Sequence, residues 1–66
     1  MDFTLNGEKH SHKGKGTISS LLKEIGAEGS QAAVVVNDDI VPRAKHDSYS
    51  LKDMDQIEVL IFAGGG

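Results

Sequence analysis

The stretch Thr17-Ile18-Ser19-Ser20-Leu21-Leu22-Lys23-Glu24-Ile25-Gly26 decides the fold, because it carries a helical period in a chain otherwise patterned as strands and turns. Thr17 suits an N-cap, and Ile18, Leu21, Leu22 and Ile25 fall on one apolar stripe. Gly26 stands where a C′ glycine ends a helix, so a helix of about two to three turns is expected. Upstream, Lys13-Gly14-Lys15-Gly16 reads as a loop. Met1-Asp2-Phe3-Thr4-Leu5 alternates like a half-buried strand with Met1, Phe3 and Leu5 inward. Asn6-Gly7 is the strongest short hairpin signal, so Glu8 to His12 should return antiparallel as a polar edge or short strand.

Downstream, Ala32-Ala33-Val34-Val35-Val36 suits a strand covered on both faces, or nearly so. Asn37-Asp38-Asp39 turns the chain, and Ile40-Val41 is a short extended piece stopped by Pro42. Arg43 to Ser50 reads as irregular or a single helical turn, Leu51 to Asp55 as a last turn, and Gln56 to Phe62 as the final strand. One helix among these strands excludes a bundle and a doubly wound sheet. The expected class is α+β, a mixed four- to five-stranded sheet with one helix packed across one face and the first and last strands parallel and central. Residues 1–62 would form the domain and residues 63–66 a flexible glycine tail.

The chain has 66 residues, which fits one domain with a small core, since a chain of this size buries only about 60% of its unfolded surface. It has no cysteine, hence no disulfide, no thiolate nucleophile and no zinc–sulfur site. That fits a reducing cytoplasm. A net charge of −3 argues against nucleic acid as a partner. No apolar stretch approaches the roughly 20 residues that would span a membrane.

Little in the sequence reads as catalysis. Lys13-Gly14-Lys15-Gly16-Thr17 lacks phosphate-loop spacing and is better read as a turn feeding the Thr17 cap. His10 and His12 would share a strand face, but a metal site needs further ligands. Two solvent-facing histidines and no metal are expected. Asp38-Asp39 and Asp53/Asp55 are ordinary turn acids. The informative region is the end. Bare glycines after the strand make a thread thin enough for a narrow slot, with Gly66 bearing the terminal carboxylate and Gly64 and Gly65 threading. Period two turns Ile57, Val59 and Ile61 to the core and leaves Leu60 and Phe62 exposed beside the thread, as a partner-docking surface.

Val36-Asn37-Asp38-Asp39-Ile40-Val41-Pro42-Arg43 resembles the Asn-x-x-Ile-Val-Pro-Arg segment of the ThiS-like sulfur carriers of thiamine biosynthesis. The length, the Leu51 to Phe62 end and the terminal Gly65-Gly66 agree with that family. Asp53-Met54-Asp55 departs from it, because relatives commonly carry Asp-Gly-Asp there. The resemblance implies a ubiquitin-like β-grasp fold in a carrier that is not itself an enzyme. It implies that a ThiF-like adenylyltransferase uses ATP to activate Gly66, and that a persulfide sulfur donor converts it to a thiocarboxylate. A ThiG-like thiazole synthase then takes the sulfur. Three other readings share the fold: the small subunit of molybdopterin synthase, a ubiquitin-like protein modifier, and a β-grasp binding module with an idle tail.

Overall fold

The computed structural model describes residues 1–27 and 31–62. An antiparallel hairpin of β1 (Asp2–Leu5) and β2 (Glu8–Ser11) leads into α1 (Ile18–Glu24). A second hairpin, β3 (Ala32–Val36) and β4 (Asp39–Val41), is followed by a 3-10 turn at Arg43–Lys45 and by β5 (Gln56–Ile61). The strands form one sheet in the order β2-β1-β5-β3-β4. β5 runs parallel to β1 and antiparallel to β3, so the chain's last strand sits in the middle of the sheet. This is the ubiquitin-like β-grasp that the sequence implied.

The turns follow from residues that tolerate a left-handed backbone. Asn6 (φ 50°) and Gly7 (φ 82°) make the first hairpin turn, Asn37 (φ 50°) and Asp38 (φ 72°) the second. The two asparagines also use their side chains. Asn6 Oδ1 accepts from the Val59 N–H at 2.8 Å, and its amide donates to the Val59 carbonyl at 3.2 Å. The side chain thus continues the β1–β5 pairing after β1 has turned away. Asn37 Oδ1 accepts from the Gln56 N–H at 2.9 Å while its amide donates to Asp55 Oδ1 at 2.9 Å. The other Asp55 oxygen accepts from the Lys52 N–H at 2.8 Å. Asp55 is therefore a buried hub of the turn before β5, not an ordinary turn acid.

Thr17 caps α1 in a reciprocal box: its hydroxyl accepts from the Ser20 N–H at 3.1 Å, and Ser20 Oγ accepts from the Thr17 N–H at 3.0 Å. Gly26 follows the helix with φ 79°, the left-handed C′ geometry expected of it. Ile18, Leu21 and Leu22 pack onto Phe3, Val34, Val36, Val41, Leu51, Ile57 and Val59 to form the core.

Three expectations about burial are corrected. Ile61 lies on the helix-side face of β5 opposite Ala32, yet it is 55% exposed. A seven-residue helix is about 10 Å long and cannot roof a six-residue strand of about 20 Å, so the cover ends near Val59. Met1 lies at the rim beside Gly16 and is half exposed. β3 is covered on one face only, with Ala33 and Val35 partly exposed on the other.

Candidate functional site

Leu60, Ile61 and Phe62, at the end of β5, are 53%, 55% and 57% exposed. Strand alternation puts Leu60 on the sheet face opposite the helix and Ile61 on the helix side. Both surfaces of the strand end are therefore apolar and accessible. Leu60 pairs across from Ala33, and Val35 pairs across from Ile40, which is 75% exposed. These residues share the open face, with Glu58 opposite Val35 as its charged neighbour. The backbone stays tied down to the last described residue, since the Phe62 N–H donates to the Gln31 carbonyl at 2.9 Å. Sequence reasoning found Leu60 and Phe62 from the period of the strand. It missed Ile61, because the reach of the helix is not written in β5.

Gly64, Gly65 and Gly66, the expected threading and sulfur-carrying residues, lie outside the described residues, as does the whole 63–66 tail.

The expectation of two solvent-facing histidines is corrected. Both face α1, and His12 is only 3% exposed. His10 Nε2 lies 2.6 Å and His12 Nδ1 2.9 Å from Glu24 Oε1 on the helix, and Glu24 Oε2 accepts from the Lys13 N–H at 3.1 Å. The His10 contact first, then those from His12 and the Lys13 N–H, holds the Glu24 carboxyl down at about 2. This clamp ties the last turn of the helix to the edge strand. The sequence could not show it, because Glu24 arrives from twelve residues beyond His12. His46, far away in sequence, is also buried, with Nε2 3.1 Å from the Val41 carbonyl.

A shallow groove between the Lys13–Thr17 loop and α1 is bordered by Lys13, Lys15, Lys23 and Asp47. Among the described residues, no buried side-chain polar atom lacks a partner.

The chain is a β-grasp domain whose apolar last strand leads into glycines, the build of a ubiquitin-like carrier. Its residues 3–66 match the model of the ThiS family. It belongs to the ThiS family of sulfur carriers. The crystal structure of a thiamine biosynthesis protein (ThiS) from Geobacter metallireducens is similar at 30% identity and a TM-score of 0.80, over all of both chains. A solution structure of a thiamine biosynthesis protein from the same organism gives 29% identity and a TM-score of 0.77, over all of this chain and 88% of that one. Two thiazole synthases are also similar along the whole chain, one from Paramagnetospirillum magneticum at 33% identity and one from Magnetococcus marinus at 38%. The chain spans 20% of the length of each of these curated relatives.

Proposed function

We propose that this chain carries sulfur on Gly66 for thiazole formation in thiamine biosynthesis. The observation behind this reading is the exposed apolar end of β5, fixed in the centre of the sheet and continuing into Ala63-Gly64-Gly65-Gly66 in a member of the ThiS family. A carboxylate with an ordinary pKa near 3.5 is ionised at neutral pH and is a poor electrophile. An adenylyltransferase with ATP would join it to AMP, releasing pyrophosphate. The terminal sulfur of a protein persulfide would then attack the acyl carbon and expel AMP. A thiol cleaving the resulting acyl disulfide leaves the thiocarboxylate on Gly66 and a disulfide on the donor side. The chain contributes a reacting terminus and no catalytic group, so it is a substrate and not an enzyme. The ATP of this step would be bound by the activating partner.

The similarity of two thiazole synthases to the whole of this chain supports thiazole synthase as the sulfur acceptor. Leu60 and Phe62, with Ile61 beside them, would dock the partners, and Gly64 and Gly65 would thread the terminus into the adenylylating site. We expect the reaction in the cytoplasm, where ATP is at hand. None of the described helices is long and apolar enough to cross a membrane.

The deciding experiment is intact-mass measurement after incubation with ATP, a sulfide source and a cognate adenylyltransferase. The carrier gains the oxygen-to-sulfur mass difference at its terminus. An unchanged mass, or attachment to lysines of other proteins, rejects the carrier role; the latter would favour a ubiquitin-like modifier.

A further inference from the structure

The contacts around Glu24 do more than hold the helix. Two imidazole nitrogens and one carboxylate oxygen, from His10, His12 and Glu24, all lie within 4.8 Å of one another. They come from two rigid elements. His10 is fixed by its pairing with Phe3 in the β1–β2 ladder, and Glu24 is the last residue of α1. His12 follows β2 on the same side, its backbone N–H donating to the Met1 carbonyl at 2.8 Å. We propose that these three side chains bind one divalent d-block cation, typified by zinc, with water as the fourth ligand.

The donor set suits such a cation, since two imidazoles and a carboxylate with an open position make a known type of zinc site. The spacing suits it as well. With metal–ligand bonds of about 2.0–2.1 Å and tetrahedral angles, donors sit roughly 3.3 Å apart. Glu24 Oε1 is 2.6 Å and 2.9 Å from the two nitrogens, so it needs to withdraw by less than about 1 Å, and the two nitrogens, within 4.8 Å of each other, have to settle at the same spacing. Glu24 Oε2 is meanwhile held by the Lys13 N–H at 3.1 Å, which leaves Oε1 as the oxygen turned toward the histidines. The His10 and Glu24 side chains are 24% and 28% exposed, giving both an entry path and room for the water ligand.

The shell around His12 is built to hold its ring. The ring stacks at a tilt against Phe3, with centroids 5.7 Å apart. A Cβ at Gly14 would come within 2.8 Å of His12 Cε1, so the loop closes over the ring only because that position is glycine. His12 Nε2 faces Ser20 Oγ at 3.0 Å and the Gly16 N–H at 3.2 Å. Without a cation, the Gly16 N–H makes Nε2 an acceptor and leaves the proton on Nδ1, donated to Glu24. With a cation on Nδ1, the proton moves to Nε2 and the Gly16 N–H gives up its bond there. Ser20 Oγ can receive it there, because its own proton is directed at the Thr17 carbonyl 2.8 Å away. A hydroxyl accepting from the distal nitrogen is the kind of outer partner that orients a ligating histidine. The bound cation would fasten edge strand β2 to the end of α1.

The test is zinc chloride titrated into the full chain, followed by calorimetry and thermal melting, with cobalt(II) as a visible-absorbance probe. One cation per chain should bind, raise the melting temperature as ligand linkage requires, and give the intense absorbance of four-coordinate cobalt. His10→Ala and Glu24→Gln, confirmed folded by circular dichroism, should each weaken binding by about tenfold or more. His10→Ala removes only a partly exposed side chain, so it carries the test if Glu24→Gln loses the fold. No binding by the wild-type chain, undiminished binding by the folded variants, or only the faint absorbance of octahedral cobalt would each overturn the site.

Discussion

The Asn6 side chain stands in for a missing strand residue, both accepting from and donating to the backbone of Val59, 53 positions later in the chain. It locks the first hairpin onto β5, the strand that precedes the glycines in the sequence. Asn6→Gly keeps the left-handed turn available but removes both bonds, and should lower stability by about 1–3 kcal/mol. Chemical denaturation checks this. An unchanged midpoint would show that water replaces the amide at no cost.

Met54 occupies the left-handed region at φ 74° with its side chain 77% exposed, so it gains little packing in return for the backbone conformation. Its N–H donates to the Asp2 carbonyl at 2.7 Å, a bond glycine would keep. Met54→Gly should therefore stabilise the domain by about 0.5–1 kcal/mol, the relief of strain being partly offset by glycine's larger unfolded-state entropy. A lower melting temperature would contradict this.

The two ends of β5 should respond differently to truncation. Ile57→Ala, at a site 1% exposed, should cost about 2–5 kcal/mol, as should Leu22→Ala on the facing helix. Ile61→Ala should cost under about 1.5 kcal/mol, because roughly half of that side chain already meets water. Equal costs at Ile57 and Ile61 would show that α1 covers more of the strand than its length allows.

Leu60→Glu and Phe62→Glu should leave the melting temperature nearly unchanged while slowing adenylation or sulfur transfer with the partner enzymes. Steady-state rates beside a thermal melt make the comparison. Unfolding of either variant would remove the docking assignment.

Gly65→Ala or a short extension after Gly66 should block adenylation without touching the fold. The carboxylate has to reach the α-phosphate of ATP at near-attack distance, and a Cβ or added residue obstructs that approach. Normal adenylation of either variant would reject the carrier mechanism. Removing Gly64 to Gly66 altogether should shift stability by well under about 1 kcal/mol.

Much of the fold was legible because its signals are local. The Asn6-Gly7 turn, the Thr17 cap, the Leu21-Leu22 stripe and the Gly26 stop each act within a few residues. The exposure of Leu60 and Phe62 followed from strand period alone. Ile61 and His12 did not, since burial depends on which element lies overhead. A strand period names two faces but cannot say how far a helix extends along one of them. Glu24 meets His10 and His12 only once the helix has crossed the sheet. Likewise, Asn37 and Asp55 look like separate turn residues until the second hairpin closes against the start of β5.

The two outer strands also constrain how other proteins can approach. β4 is only three residues long and is cut off by Pro42, while β2 presents Glu8, Lys9, His10 and Ser11 along its length. Short, proline-ended or charged margins discourage another chain from extending the sheet by backbone pairing. Recognition by strand addition is thereby disfavoured, in self-association and in partner binding alike. Selectivity would then fall to side chains on the broad surface, and exchanging a few apolar residues there would change the partner without rebuilding the frame.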